Sequence, residues 1–157
     1  MALFKKTWNQ LWFIQNDKVL QESRLQVETD LDAVPEVLEW FEQFTSPLLP
    51  SEISNQCQLA LIEGFTNAVR HAHHGLPKIT PIELELQLYT KYLEMRIWDR
   101  GQPFDWQAKL DALCREDIAP LEKLGGRGLM FMKELTDEVS YVRLSDERNC
   151  LLMRKQR

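Results

Sequence analysis

The sequence predicts an α+β domain in which helices pack on a β-sheet, and two observations support this class. The chain has 157 residues, the size of one ordinary domain, and 44% of them are hydrophobic, enough for a single core. The patterns run in the order strand, helix, helix, two strands, loop, helix and two strands. Because strands and helices do not alternate strictly, a sandwich is favoured over a parallel, doubly wound sheet.

An aromatic extension at residues 1–24 precedes a domain that is expected over residues 25–157. Apolar side chains recur at helical spacing between residues 3 and 20, including Trp8 and Trp12, and predict a short amphipathic helix. Two interpretations stay open. The helix packs on its own domain, or it docks on a partner or a membrane surface, because exposed aromatic patches often mark interfaces.

The domain begins with a strand and a helix. Alternating apolar and polar residues predict the strand at residues 25–29. Asp30 or Asp32 can cap the helix that follows, and Pro35 is tolerated in its first turn. Apolar residues at intervals of three and four continue this helix to Phe44.

A second helix and a hairpin form the middle of the chain. The helix is predicted over residues 51–73, and Gly75 and the prolines that follow end it. Strict alternation predicts strands at residues 82–88 and 93–99. The short joint between them is typical of a β-hairpin.

The last third contains a loop, a helix and two strands. The loop covers residues 100–124 and is expected to hold a short helix at residues 106–113. A third helix is predicted at residues 129–135, and strands are predicted at residues 138–144 and 150–155.

Polar residues on the second helix form the first candidate site. Glu63, Asn67 and His71 fall at 0°, about 40° and about 80° of a regular helical wheel. A solvated polar face explains this pattern on its own, but the small residues Gly64 and Ala68 indicate that something approaches the helix closely. An Asn carbonyl and a Glu carboxylate one turn apart suit a magnesium ion.

A carboxylate at the end of a strand forms the second candidate site. Asp99 continues the inward-facing parity of the strand at residues 93–99, so its side chain is expected to point into the core and to need a hydrogen-bond donor. Gly101 leaves room for the backbone to approach a ligand closely. An Asx-turn at the strand end is the alternative.

Glycines before the third helix form another candidate site. The run Gly125, Gly126, Arg127 and Gly128 can turn backbone amides toward an anion, where the helix dipole favours phosphate. It matches neither a P-loop nor a dinucleotide-binding fingerprint. A flexible hinge explains it equally well.

These three segments together resemble the N, G1 and G2 boxes of the GHKL ATPase superfamily. The segments are residues 63–71 (EGFTNAVRH), 99–105 (DRGQPFD) and 126–130 (GRGLM). The resemblance covers roughly residues 25–155. It implies a Bergerat-type two-layer sandwich of helices on a mixed, mostly antiparallel sheet, with ATP and Mg²⁺ as ligands.

Within the superfamily, the G1 variant and the compact size resemble the anti-sigma factor serine-protein kinases. Only about 24 residues precede the first strand, so no phosphoacceptor-helix domain of histidine kinases is expected. With 157 residues in the chain, the second domain of gyrase-type enzymes is not expected either. The resemblance implies a serine/threonine-protein kinase in a partner-switching circuit. It would phosphorylate a small antagonist protein and bind a sigma factor or another regulatory protein; a homodimer is left open.

The resemblance also implies roles for individual residues. Glu63 matches the general base, Asn67 the magnesium ligand and Asp99 the adenine reader. The remaining expected nucleotide contacts are Ala68, His71, Gly101, Phe104, Gly125, Gly126, Arg127, Gly128 and Leu129. The basic residue that often precedes the second glycine box is offset here to Lys123.

Two other functions stay open at this point. A regulatory module could bind nucleotide and sequester a partner without kinase activity, although such a module would not need Glu63. A metabolic ATPase could hydrolyse ATP with water, although no transducer domain is evident.

Composition argues against several other classes of protein. The net charge of -5 disfavours non-specific nucleic-acid binding, and no apolar run reaches the roughly 20 residues of a membrane helix. Cys57, Cys114 and Cys150 are isolated, which is typical of reduced thiols in a cytoplasmic protein. No zinc site is expected around His71, His73 and His74.

Overall fold

The computed structural model describes residues 17–103, residue 108 and residues 127–157. The predicted short helix at residues 106–113 therefore falls outside the described residues, apart from residue 108. Of the predicted helix at residues 3–20, only the last four residues are described, and they are not helical.

Within residues 17–103 and 127–157, five strands and three α-helices follow in the predicted order. The strands are β1 (Gln21–Val27), β2 (Ile82–Leu88), β3 (Tyr92–Asp99), β4 (Glu138–Arg143) and β5 (Asn149–Gln156). The helices are α1 (Val34–Thr45), α2 (Ser51–Asn67) and α3 (Arg127–Leu135). A 3-10 turn at Leu31–Ala33 precedes α1, and a π-helical turn at Ala68–Ala72 continues α2.

Several boundaries differ from the prediction by one or more residues, and three of these differences affect the packing or the site. β1 begins four residues earlier, at Gln21, because it pairs with the whole length of β2. The second helix does reach Ala72, but its last turn is π-helical rather than regular. The third helix already includes Arg127, so Gly128 lies inside it rather than ahead of it.

The strands form one sheet in the order β1-β2-β3-β5-β4. Each of the four pairings among the described strands is antiparallel. The α+β sandwich predicted from the order of the elements is thereby confirmed. The last strand, β5, lies between β3 and β4. Its first residue, Asn149, is therefore paired with Asp99 at the end of β3.

The core lies between the helices and one face of the sheet. Its largest fully buried apolar side chains come from α1, α2, α3 and the three central strands: Phe41, Leu61, Phe65, Ile82, Leu84, Leu86, Leu93, Met95, Ile97, Met132 and Met153. Each contributes roughly 1.5–3 kcal/mol of burial relative to an exposed side chain.

The strand residues that alternate with the core residues lie on the other face of the sheet, and they include charged side chains that pair with one another. Arg154 donates from Nε to Glu94 Oε2 over 2.6 Å, and Arg24 contacts Glu85 at 3.2 Å. Glu94 is only 1% exposed, and its pairing with Arg154 and Arg96 offsets the cost of burying its charge.

Gly64 marks the place where α2 lies closest to the sheet. A methyl group at Gly64 would lie 2.7 Å from Ile97 Cδ1 and 2.9 Å from Leu151 Cδ2. The sequence indicated that something approaches the helix at this position, and in the structure it is the sheet. Helix packing therefore requires this glycine, whatever binds nearby.

Candidate functional site

A cavity of about 330 Å³ lies between α2 with its π-helical turn, α3 and the helix-facing side of the sheet. Its apolar walls come largely from Ile97, Leu129, Met132 and Leu151, and its polar side chains include Asn67, His71, Asp99 and Tyr141. This size and this mixture of many apolar groups with a few polar ones are typical of small-molecule sites.

Asp99 is the most deeply buried charged group of the cavity. It ends β3 at the inward parity predicted for it, and it is 3% exposed. Three donors hold its carboxylate: Gly101 N and Asn149 Nδ2 donate to Oδ1 over 2.9 and 2.7 Å, and the Tyr141 hydroxyl donates to Oδ2 over 3.2 Å. The bond from Gly101 is the predicted Asx-turn, and it coexists with the cavity-facing position.

Asn149, Tyr141 and Arg143 were not identified from the sequence. Asn149 pairs with Asp99 across β3 and β5, and it is fully buried. It also donates to the Gly101 carbonyl over 2.9 Å, as does Arg143 Nη1. Asn149 has the same parity as the core residues Leu151 and Met153, so the pattern that revealed Asp99 could have revealed Asn149 as well.

Gly101 is required by a contact within the protein. A methyl group there would lie 2.0 Å from the carbonyl oxygen of Ala72, at the end of the π-helical turn. The sequence indicated that this glycine leaves room for a ligand, but the Ala72 backbone occupies that room. Gly101 therefore fixes how the end of β3 joins the second helix, and it does not line the cavity.

The π-helical turn changes where the residues after Asn67 point. Its wider winding, with the His73 amide bonded to the Ala68 carbonyl at 2.8 Å, places Ala68, His71 and Ala72 along the cavity. Such turns occur frequently at functional sites. The regular wheel put Glu63, Asn67 and His71 on one face, but only Asn67 and His71 among them line the cavity.

His73 anchors the end of this turn below the site. It is 2% exposed, and the Arg100 amide donates to its Nε2 over 2.8 Å. Because Nε2 accepts this bond, the ring proton is on Nδ1, which donates to Thr29 Oγ1 over 2.7 Å. The Thr29 hydroxyl in turn donates to the Thr80 carbonyl. The ring is therefore neutral and connects four segments of the chain.

We expect this neutral histidine to make stability depend on pH. Burial lowers the pKa of His73 from its ordinary value of 6.5; the charge of Asp99 opposes this shift and that of Arg100 adds to it. Below pH 6.5 the unfolded chain binds a proton that the native chain excludes. The free energy of unfolding should then fall by up to about 1.4 kcal/mol per pH unit, while above pH 6.5 this contribution is fully present.

Urea unfolding between pH 8 and pH 5 measures this dependence. His73→Gln should flatten the slope below pH 6.5, whereas the matched variant at the exposed neighbour, His74→Gln, should keep it. Equal slopes for His73→Gln and the wild type would show that another group is responsible.

Glu63 and Asn67 meet at the beginning of α3. A methyl group at Gly128 would lie 2.5 Å from Glu63 Oε2 and 3.6 Å from Asn67 Nδ2. Gly128 therefore allows α3 to approach these two side chains. The positive end of a helix dipole favours a carboxylate such as that of Glu63, so the same contact also stabilises the helix start.

The structure thus places the predicted site residues, apart from Arg127, in three groups. Asn67, Ala68, His71, Asp99 and Leu129 line the cavity, whereas Glu63, Gly101 and Gly128 lie beside it. Phe104, Gly125, Gly126 and the displaced Lys123 fall outside the described residues. Arg127 begins α3, but its side chain is not among the described parts.

Within the described part of the chain, no helix has the length and apolar character needed to cross a membrane. Cys57 and Cys150 are both buried there as free thiols, and burial raises the pKa of each to about 12. Such thiols are unreactive and act as part of the packing.

Comparison with known proteins places this geometry in a family. The sequence profile of the histidine kinase-like ATPase domain matches residues 27–155. The serine-protein kinase RsbW of Listeria monocytogenes is 31% identical over 91 residues, which are 56% of this chain and 57% of that protein. RsbW of Staphylococcus epidermidis is 33% identical over 87 residues, 53% of this chain and 54% of the relative. The matched region thus spans little more than half of these relatives.

Two solved structures share the fold. The SiaB–SiaC complex from Pseudomonas aeruginosa matches with a TM-score of 0.59 and 15% identity, over 96% of this chain and 97% of the matched one. The RsbU and RsbW domains of a Mycobacterium tuberculosis protein match with a TM-score of 0.61 and 14% identity, over 87% of this chain and 33% of theirs. The match to the family profile over residues 27–155, together with this shared fold, shows that the chain belongs to the histidine kinase-like ATPase domain family.

Proposed function

We propose that this protein is an ATP- and Mg²⁺-dependent serine/threonine-protein kinase and anti-sigma regulatory factor. In a partner-switching circuit in the cytoplasm, it phosphorylates a small antagonist protein. One observation carries the proposal: an acceptor-only carboxylate lies within an apolar cavity, and a second carboxylate lies beside that cavity at the start of a helix.

The cavity residues fit an adenine base. Apolar walls from Ile97, Met132 and Leu151 suit a flat aromatic ring, and Asp99 suits an amino donor. A base with a carbonyl oxygen at that position would face the carboxylate and leave a buried acceptor unpaired, at a cost of about 1–3 kcal/mol.

Asn67 is the residue that would hold Mg²⁺. Among the described residues, no three His, Cys, Asp or Glu side chains gather as a metal cluster. Such a cluster is not required, because Mg²⁺ is usually held by one or two protein oxygens together with substrate phosphates and water. Bound there, the ion would neutralise charge on the phosphates.

Glu63 is the proposed general base. The serine or threonine hydroxyl oxygen of the antagonist forms a bond to the γ-phosphorus as the bond to the ADP oxygen breaks, and the hydroxyl proton passes to the Glu63 carboxylate. This reaction depends mainly on positioning and charge stabilisation, which a fixed carboxylate beside the helix start can supply.

Protein partners are part of the proposal. The relatives named serine-protein kinase support the transfer of phosphate to a protein, and the solved SiaB structure contains a second protein, SiaC. We propose a small antagonist as the substrate, and a sigma factor or another regulatory protein as the partner that is released or captured. The aromatic segment at residues 3–20, which precedes β1, is a candidate docking segment for one of them.

Binding of Mg²⁺ and ATP should raise the melting temperature. A ligand that binds only the native state at about 100 times its Kd adds about 2.7 kcal/mol to the free energy of unfolding. For a domain of this size that corresponds to a rise of roughly 5–10 °C.

Differential scanning fluorimetry measures the rise in melting temperature, and isothermal titration calorimetry measures the binding of ATP. Magnesium triphosphate, which has no base, is the matched ligand control. A response to triphosphate equal to that of ATP would remove the adenine pocket from the proposal. The absence of heat and of a thermal shift at millimolar ATP would refute nucleotide binding. Tight ATP binding without transfer to any protein of the same cell would favour the sequestering module.

A further inference from the structure

We infer that the outer face of the sheet is a docking surface for the aromatic segment that precedes β1. The outer face is the side away from the helices, and its central residues include Glu94, Leu152 and Arg154. The occupant is the segment at residues 3–16, which lies before the described residues. The inference is independent of the proposed function, because the nucleotide cavity lies on the opposite side of the sheet.

Short side chains on the outer face are buried, although none of the described helices covers them. Cys150 and Leu152 have the outward parity on β5, and they are only 7% and 8% exposed. The three described α-helices all pack on the core side, where their apolar residues join those of the inward parity. The burial of Cys150 and Leu152 therefore needs a cover on the other side of the sheet.

The two edges of the outer face show where this cover lies. At the β1 edge the outward residues are exposed, and the side chain of Arg24 is 74% exposed. At the β4 edge, Ser140 and Val142 flank Leu152 and Cys150 and are themselves half-buried. The Ser140 hydroxyl is removed from solvent and has no hydrogen-bond partner among the described residues. Side chains this short cannot bury their neighbours, so the cover lies over β5 and β4.

The chain that leads into β1 comes from the outer face. Burial raises the pKa of Tyr92 to about 12, and the negative charge of Asp17 is one of the smaller causes of this rise. Tyr92 has the outward parity on β3, where the guanidinium of Arg154 lies 5.2 Å from the centre of its ring. From Asp17 the chain continues to Leu20, whose amide donates to the Leu88 carbonyl over 2.8 Å. The residues before Asp17 therefore join the domain beside the outward side of β3.

The other long stretch outside the described residues is attached to the opposite side of the sheet. Residues 104–126, apart from residue 108, connect Pro103 to α3. Pro103 lines the cavity on the core side, and α3 packs there through Leu129 and Met132. Both ends of this stretch are thus on the wrong side to cover β5 and β4, which leaves residues 3–16 as the occupant that the geometry favours.

The aromatic segment fits the surface in length and in chemistry. As a helix, its 14 residues would span about 21 Å, whereas β3 and β4 are two strand spacings, roughly 10 Å, apart. The segment contains two tryptophans and two lysines but no acidic residue. The outer face offers it the apolar centre described above and, at the rim, the half-exposed carboxylate of Glu138. A protein partner that bound this segment would uncover the face.

Alkylation of the native thiols by N-ethylmaleimide tests the inference, with peptide mass spectrometry reporting the rate at each cysteine. Full-length protein that carries both Trp8→Glu and Trp12→Glu is compared with the wild type. We expect Cys150 to react at least about tenfold faster in the variant, because two large apolar side chains are lost from the cover. Cys57 is buried in the core on the helix side and should keep its rate.

The matched control carries Asn9→Asp and Gln10→Glu, which add the same two charges away from the apolar stripe and should leave both rates unchanged. An unchanged Cys150 rate in the tryptophan variant would overturn the inference. An equal acceleration at Cys57 and Cys150 would overturn it as well, because both thiols would then react through unfolding of the whole domain. A wild-type Cys150 rate that rises on dilution would assign the cover to a second copy of the chain instead.

Cross-linking of the wild type with a carbodiimide gives a second measurement, which also applies if the tryptophan variant does not fold. This reagent joins a lysine to a carboxylate that it contacts. Lys5 and Lys6 should be joined to outer-face glutamates such as Glu138, and not to Glu39 or Glu42, which are exposed on α1. Cross-links to α1, or none to the outer face, would overturn the inference.

Discussion

Replacing Glu63 with Gln should lower phosphoryl transfer to the antagonist by roughly 10²- to 10⁴-fold, the usual contribution of a positioned base. ATP affinity should change by no more than a few-fold, because Glu63 lies beside the cavity and does not line it. Loss of a negative charge near the phosphates can even strengthen binding. Nucleotide titration and transfer of radiolabelled phosphate, both on the same preparation, measure the two effects.

Gln is the appropriate replacement because Glu63 also has a structural contact. Its Oε2 lies against the Gly128 backbone at the start of α3, so Glu63→Ala would remove packing and charge together. Glu63→Gln keeps the shape and a polar contact, and it removes only the ability to accept a proton.

Asn67→Ala is the matched variant one turn further along α2. It removes the proposed metal ligand, so magnesium-dependent ATP binding should weaken and phosphoryl transfer should fall with it. Glu63→Gln is thus expected to impair phosphoryl transfer alone, whereas Asn67→Ala is expected to impair ATP binding and transfer together. Wild-type transfer by Glu63→Gln would show that Glu63 is not the base and that its contact with α3 is its main role.

Replacing Gly101 with Ala should severely destabilise the domain. The added methyl group would lie 2.0 Å from the Ala72 carbonyl oxygen, which belongs to backbone and cannot rotate away. Overpacking usually costs about 1–3 kcal/mol, and relief here would also displace the bonds of Gly101 to Asp99 and Asn149. For a domain with a total stability of about 5–15 kcal/mol, we expect several kcal/mol of loss or no folded protein.

Urea unfolding and soluble yield measure this effect, with Gly128→Ala as the matched control. The methyl group at Gly128 would meet Glu63 Oε2 at 2.5 Å, but that atom ends a flexible side chain and can move. Gly128→Ala should therefore fold with a smaller loss while it displaces Glu63. If Gly101→Ala proved as stable as Gly128→Ala, the close contact between Gly101 and Ala72 would not be present in solution.

The sequence by itself determined the fold class, the order of the elements and the inward position of Asp99. These features follow from local patterns. Alternation along residues 93–99 determines which side chains face the core, and the order of strand and helix patterns favours a sandwich over a parallel, doubly wound sheet. The resemblance of three segments then identified the family, and the match over residues 27–155 agrees with it.

Local patterns also explain where the sequence was misleading. A regular wheel placed Glu63, Asn67 and His71 on one face, but only Asn67 and His71 line the cavity, and the residues from Ala68 to Ala72 follow a π-helical turn that the wheel does not describe. Gly64 and Gly101 indicated close approach correctly. Whether a ligand or the protein itself approaches depends on how α2 lies on the sheet, and a single-residue signal carries no information about that.

Only the tertiary structure decided what holds Asp99. Asn149 and Tyr141 lie 50 and 42 residues further along the chain. They reach Asp99 because β5 inserts between β3 and β4 in a defined register. Local periodicity determines which face a residue occupies, but not which strand becomes its neighbour. That choice is made by the packing of the whole sheet against the helices, and it supplies two of the three donors that hold Asp99.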